Sequence, residues 1–492
     1  RMNPPWPKGK KLVHLDLKGA PPRIEYLHQL IELFSRLGVD GLLVEYEDMF
    51  PYEGELQLLQ ATVQPTYSRE QVLSIQESAK ARGMEVIPLV QTFGHMEFVL
   101  KHRTLWHLRE VPHCIGTLNP HKEDGVKMVM EMLRQVVELH PHLRTVHIGA
   151  DEVYSLGEGE DSKLWLASTG HSVEQLFLSH VTKVAKAIKE AWPDMNIIMW
   201  DDMMRGMSQD TLKASGLVGL VQPMLWDYTP NLNVDKTVSL LEKYHGAGMS
   251  DLWAASSFKG STSVDTCVTC TQTHVDNHLQ WLKVAASLSA AINMRGIAIT
   301  GWQRYDHLSV LCELLPVALP SLASCLQTLN HGEFSTEARR NVTEMLGVSS
   351  VEIEAMERTS ADESLFPGRR LAELIVEINS LLNSEELRFF ESNMLVRGWF
   401  SPYHRQRKMV NPLNSILIHS QASGYLDTLQ KMVEAVRKEM VNLYPDSTAE
   451  EWMEEHVSPV TAPLQRIIDA IPGCVKEMVP YLTKNFRLQH II

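Results

Sequence analysis

Eight times between Lys11 and Gly301 the chain alternates a short apolar run with a longer amphipathic one. The short runs are Lys11–Leu17, Gly41–Tyr46, Glu85–Gln91, Thr145–Gly149, Asn196–Trp200, Leu220–Trp226, Leu252–Ser256 and Gly296–Gly301. Rich in Val, Ile and Leu, they read as strands buried on both faces. The long ones, such as Tyr26–Leu37, Arg69–Arg82, Lys122–His140, Val173–Trp192, Val234–His245 and His278–Ala291, carry apolar residues at helical spacing. A strand feeding a helix, repeated eight times over ~250 residues or somewhat more, predicts an α/β fold whose parallel strands close into a (β/α)8 TIM barrel. The competing arrangement is an open doubly wound sheet. No GxGxxG follows the first strand to mark a dinucleotide site, and the count of eight favours closure.

From about His331 the pattern becomes helix-rich and charged, with apolar residues at helical spacing in Ala372–Leu382, Leu426–Leu443 and Glu450–His456. This predicts a barrel over residues 1–330 and a helical C-terminal domain over 331–492. The aromatic turn from Gly398 to Arg405 reads as a packing element between domains rather than a cap on the barrel mouth.

The 492 residues, 44% of them hydrophobic, are ample for a large core. A net charge of −14 with no dense Lys/Arg run argues against nucleic acid as a partner, since a polyanion needs a basic face. The short Arg405-Gln406-Arg407-Lys408 cluster reads as a solvated helix face. No apolar run is long enough to cross a bilayer, so no membrane is expected, and the opening residues show no signal-peptide core. Together with only six cysteines this predicts the cytoplasm or nucleus. Cys267 and Cys270 have half of a zinc-site spacing without a second pair, and read as an incidental loop pair. The Asn341-Val342-Thr343 triplet is of a kind that arises by chance.

In such a barrel the chemistry sits at the C-terminal ends of the strands. Those ends carry Asp16 with Lys18, Glu45 to Asp48, Gln91 with His95, Asp151 with Glu152, Trp200 with Asp201 and Asp202, Trp226 with Asp227 and Tyr228, Ser257 with Lys259, and Trp302 with Gln303 and Arg304. Three tryptophans at separate strand ends, each beside a polar group, would form an aromatic cup rimmed with hydrogen-bonding side chains. Sugars bind in such cups, C–H faces on the rings and hydroxyls on the rim. Neighbours along a strand point to opposite faces, so Asp151 and Glu152 share a pocket only where the strand ends and the backbone turns, which Gly149 and Ala150 permit. An Asp-Glu pair after a strand is, taken alone, more often a solvated acidic turn; the aromatic ends around it favour a site.

The run from His147 to Val153, His-Ile-Gly-Ala-Asp-Glu-Val, resembles the signature of glycoside hydrolase family 20, the β-N-acetylhexosaminidases. Phe93-Gly94-His95, Trp200-Asp201-Asp202, Trp226-Asp227-Tyr228 and Gly301-Trp302 are similar to further family segments in the same order, so the resemblance spans Lys11 to Leu329. Longer stretches, Glu45 to Gly54 and Gly301 to His307, resemble the intracellular branch of the family. The family's Arg at the end of the first strand is absent; that place reads Asp16-Leu17-Lys18. The resemblance implies an enzyme that removes terminal N-acetyl-β-D-hexosamine, GalNAc or GlcNAc, from a small glycan or glycoconjugate. It implies Glu152 as general acid and base, Asp151 and Tyr228 as the groups that hold the acetamido substituent, and Asp16, His95, Trp200, Trp226, Asp227, Trp302 and Arg304 as substrate-binding residues.

The chemistry agrees. Retaining glycosidases ordinarily place two carboxylates ~5 Å apart on opposite sides of the bond, and inverting ones place them farther apart. Sequence neighbours do not easily flank a sugar that way, so the substrate's 2-acetamido oxygen becomes the expected nucleophile, as is general for that family. No metal or other cofactor is required. His95 and His147 are expected to orient the carboxylates rather than to ligate an ion. Two other classes compete: a carbohydrate-binding or scaffold protein on an inactive barrel, and a metal-dependent hydrolase, for which His14-Leu15-Asp16 supplies only one histidine near the first strand. Among macromolecules, a second copy in a homodimer is the one partner entertained.

Overall fold

A computed structural model describes residues 4–6, 9–357 and 366–478. Its eight parallel strands close in sequence order: β1 (Lys10–Asp16), β2 (Gly41–Glu45), β3 (Glu85–Leu89), β4 (Thr145–His147), β5 (Asn196–Trp200), β6 (Gln222–Trp226), β7 (Asp251–Lys259) and β8 (Asn293–Gly301). Closure is made by β1, whose Leu12 pairs with Gly41 of β2 on one side and Ala298 of β8 on the other. Every expected strand is present. The differences lie at the ends: β4 stops at His147 rather than Gly149, because Gly149 and Ala150 take φ of +66° and +67°, a left-handed conformation no strand accepts.

Side chains that point inward fill the barrel, including Leu12, Leu43, Ile87, Leu89, Ile198, Trp200, Met224, Trp253, Ala255 and Ala298. Trp226 and Trp302 are packed against this cluster and only partly buried. The barrel's packed core is therefore also the floor of the strand-end surface, and dispersion and apolar burial contribute to holding the tryptophans there.

The outer helices begin where their chemistry says they should. Ser68 and Ser172 each form a capping box, with Gln71 and Gln175 returning a hydrogen bond to the cap backbone. One helix departs from expectation. The helical pattern that starts at His278 belongs to a helix that runs Thr271–Ser287, because Glu352 accepts the free N–H groups of Thr271 and Gln272 and so caps a polar first turn that shows no apolar period.

That contact also bears on the division of the chain, which forms two compact units, Arg1–Pro367 and Gly368–Ile492. The boundary falls later than the change of pattern at His331. Helix Thr336–Leu346 packs on the almost wholly buried helix Leu315–His331, which in turn packs on β7 and on Thr271–Ser287. The second unit is helical. Its long helices, Arg369–Leu382, Pro412–Leu443 and Ser458–Met478, enclose residues such as Ile378, Ile418, Leu429, Val436 and Ile467. In the aromatic turn Phe400 is buried, while Trp399 and Tyr403 remain 45% and 60% exposed. Among the described residues no helix is long and apolar enough to cross a membrane.

Candidate active site

Past β4 the backbone folds back on itself. Gly149, Ala150, Glu152 and Ser155 all have positive φ, at 66°, 67°, 45° and 58°. For the non-glycine residues such a conformation costs roughly 1–2 kcal/mol each, so the surrounding structure must hold it. Gly149 has no alternative here: a Cβ would collide with the side-chain oxygen of Gln91. His147 supports the bend from below, its Nδ1 accepting the Gly149 N–H at 3.0 Å. That bond leaves the ring proton on Nε2, and burial depresses the imidazole well below its usual pKa, so His147 is neutral.

The result of the bend is that Asp151 and Glu152 converge on one imidazole. His95 Nε2 lies 3.3 Å from Asp151 Oδ2 and 3.1 Å from Glu152 Oε1. Gln91 donates to Asp151 Oδ1 at 3.1 Å, the Tyr154 hydroxyl donates to Glu152 Oε2, and the Glu152 N–H donates to Asp202 Oδ2 at 2.8 Å. Burial penalises the His95 cation, but Asp151, Glu152 and Glu97 together outweigh it and raise its pKa well above the usual value. Burial raises Asp151, with His95 opposing, while the His95 hydrogen bond lowers Glu152. At neutral pH the trio thus holds an imidazolium whose proton is shared toward two carboxylates.

These groups open on a 370 Å³ cavity walled by Trp200, Trp226, Tyr228 and Trp302. Trp200 and Trp302 lie 5.9 Å apart at 44°, and Trp226 stacks on Tyr228 at 5.3 Å and 25°. Burial holds the Tyr228 hydroxyl far above its ordinary pKa, which keeps it a neutral donor. Asp202 fixes two parts at once, accepting Trp226 Nε1–H at 3.0 Å beside its bond to Glu152; burial and the nearby Asp151 push its carboxyl up to about 7. Its neighbour Asp201 is turned the other way and is paired with Arg205 at 2.9 Å.

Of the expected site residues, Glu152, Asp151, Tyr228, His95, Trp200, Trp226 and Trp302 line the cavity. Asp16, Asp227 and Arg304 do not. Asp227 accepts from the backbone and hydroxyl of Thr229, closing its own turn. Asp16 is buried behind the wall, accepting from Lys18 Nζ at 2.9 Å and Gln303 N at 2.8 Å. Arg304 donates to the Ser309 carbonyl and braces its own loop.

What lines the wall instead is Lys18, with Glu45 and Gln91. The Lys18 ammonium sits 2.9 Å from Asp16, 3.5 Å from Glu45 and 2.9 Å from Glu47, and 5.3 Å from the Trp302 ring centre. Burial opposes this charge, yet the three carboxylates raise its pKa well above normal. Lys18, Glu45, Gln91 and Asp202 stand at strand ends and so were legible as candidates. Nothing in the sequence marks Tyr154, whose position depends on the left-handed turn after Glu152.

Two groups of described residues have metal-ligand spacing, His95 with Asp151 and Glu152, and Asp16 with Glu45 and Glu47. The second already encloses the Lys18 ammonium as its cation. Replacing Lys18 with Met should therefore leave three buried carboxylates uncompensated and destabilise the chain by about 3–5 kcal/mol, read as the shift in urea unfolding. An unchanged midpoint would mean that Lys18 is not needed there.

Residues 43–231 match the catalytic domain of glycosyl hydrolase family 20. Hexosaminidase D of Homo sapiens is 47% identical over 459 residues, covering 93% of this chain and 93% of that protein. Hexosaminidase D of Bos taurus is 53% identical over 342 residues, 70% of this chain and 98% of that protein. The crystal structure of a β-N-acetylhexosaminidase, 14% identical, has a TM-score of 0.50 over 74% of this chain and 81% of its own, a likeness of fold alone. With a relative this similar over nearly the whole of both sequences, the chain belongs to glycosyl hydrolase family 20.

Proposed function

We propose that this chain is a β-N-acetylhexosaminidase that removes terminal non-reducing N-acetyl-β-D-hexosamine from a small glycan or glycoconjugate, with retention and through an oxazolinium intermediate. The observation that carries this reading is the placement of both carboxylates on one imidazole, Asp151 at 3.3 Å and Glu152 at 3.1 Å from His95 Nε2. Two groups held on one side of a cup cannot flank an anomeric carbon, so the nucleophile belongs to the substrate.

In the first step the acetamido oxygen attacks the anomeric carbon, the glycosidic C–O bond breaks, and the departing oxygen takes a proton from Glu152. A leaving group seated at Glu152 displaces water and penalises the carboxylate, which draws the proton shared with His95 onto Glu152. Asp151 accepts the acetamido N–H and balances the positive charge that develops there; Tyr228 donates to the acetamido oxygen and fixes its direction. In the second step Glu152 takes a proton from water as it attacks the same carbon and the oxazoline ring opens. The tryptophans hold the sugar through its C–H faces, while Lys18, Glu45 and Gln91 meet its outer hydroxyls.

All six cysteines are free thiols, which supports a reducing compartment, cytoplasm or nucleus. The direct test of the activity is hydrolysis of a chromogenic N-acetyl-β-hexosaminide with and without a chelator. Equal release under both conditions is expected. No release would remove the enzyme reading in favour of a binding protein, and release lost on chelation would place a metal among His95, Asp151 and Glu152.

A further inference from the structure

On the far side of Glu152 a second chamber opens, of 300 Å³, and it shares His95, Glu152, Tyr154 and Asp306 with the 370 Å³ cup. We propose that this chamber is the leaving-group site and that it takes one uncharged sugar ring. This rests on the hexosaminidase reading, because it is Glu152 as acid that orders the two spaces. A glycosidic oxygen within hydrogen-bond reach of Glu152, with its acetamido sugar in the cup, must carry its other substituent past Glu152 and Tyr154, and there the second chamber begins.

The chamber is preformed. Its floor is the segment Cys114–Thr117, pinned from three directions: Thr117 Oγ1 donates to the Tyr154 carbonyl at 2.7 Å, Met96 N–H donates to the Gly116 carbonyl at 2.9 Å, and Gly116 lies so near Glu97 that a Cβ would stand 2.7 Å from its carboxyl oxygen. A floor fastened to Tyr154 is fastened to the acid as well, since the Tyr154 hydroxyl donates to Glu152. A site of this kind loses little entropy when it is filled.

Its lining has two characters. Leu308 and Tyr154, 57% and 59% exposed, join Ile115 in presenting apolar surface, and His113 and Asp306 present polar atoms beside it. A pyranose has the same division between its C–H faces and its equatorial hydroxyls. The volume approaches that of the cup, which suits one ring and not a chain of them. Glu152 and Asp306 set two carboxyl groups around the space against the His95 imidazolium, and burial raises the pKa of Glu97, the third acid of the lining. A uronic acid or sulfated sugar would enter against that charge, and a neutral one would not.

The test compares kcat/KM on three substrates of the full chain: the β-glycosyl fluoride of the N-acetylhexosamine, whose leaving group is a single atom; a β-linked disaccharide with a neutral second sugar; and the matching disaccharide with a uronic acid. Leu308→Ala and His113→Ala alter exposed side chains, so folding is not at risk. Each should lower the rate on the neutral disaccharide by about tenfold more than on the fluoride. The wild type should cleave the uronic acid disaccharide at least about tenfold more slowly than the neutral one. Equal loss on fluoride and disaccharide, no loss on the disaccharide, or equal rates on the two disaccharides would overturn the proposal. A wild type inert toward the fluoride itself would instead overturn the hexosaminidase reading beneath it.

Discussion

Glu152→Gln should keep the fold and lose hydrolysis of a disaccharide by roughly 10²–10⁴-fold, the range that a positioned proton donor supplies. The amide has the carboxyl's shape and can still meet His95 and Tyr154, but it cannot deliver a proton to a sugar alkoxide. An aryl glycoside with an acidic phenol departs nearly unaided, so its first step should suffer far less, and what remains slow is attack by water without a base. The pH profile adds an independent reading. Because the reacting form needs the proton shared by Glu152 and His95, the wild-type rate should fall as pH rises past the His95 value, which lies above that of an ordinary histidine. That alkaline limb should disappear in the Gln variant. Wild-type rates on both substrate types in a folded Glu152→Gln protein, checked by circular dichroism, would mean that another group is the acid.

The second large effect belongs to the substrate. If the acetamido oxygen is the nucleophile, a β-glycoside identical except for a 2-hydroxyl should be cleaved many orders of magnitude more slowly, since well-oriented intramolecular groups reach effective molarities of about 10⁵–10⁸ M. Asp151→Asn should cost less than this but still a great deal, because the buried carboxylate that accepts the acetamido N–H is then replaced by a neutral group that cannot balance the oxazolinium charge. A thiazoline analogue of the intermediate should inhibit tightly, and more weakly in the Asp151 variant. Mass spectrometry after exposure to a 2-fluoro sugar gives the sharpest outcome. A stable glycosyl ester on Glu45, Asp306 or any other carboxylate of the cavity would show that the protein supplies the nucleophile, and the substrate-assisted mechanism would fall.

The barrel could be read from residues alone because eight Val/Ile/Leu-rich runs, each with an amphipathic partner, have few other ways to be buried. The strand that matters most could be read too: Gly149 and Ala150 after His147 marked a bend, and a bend is the condition for Asp151 and Glu152 to share a pocket. Strand ends likewise brought Trp200, Trp226, Tyr228 and Trp302 to one surface, since the barrel topology puts every C-terminal end on the same rim.

Sequence position says which rim a residue occupies and not which way it faces, because the two-residue alternation ends with the strand and the next dihedrals belong to the loop. Asp227 stands at a strand end as Asp202 does, yet it closes a turn on Thr229 while Asp202 reaches Trp226 and Glu152. Asp16 was as plausible as Lys18, and it lies behind the wall as one of three carboxylates gathered around a single ammonium, while Arg304 donates to the Ser309 carbonyl within its own loop. Tyr154 had no signal at all. Its contact with Glu152 accompanies the positive φ of Glu152 and Ser155, a turn held by the close approach of Gly94 to Asp151–Val153 and by the Thr117 hydroxyl on the Tyr154 carbonyl rather than by local preference.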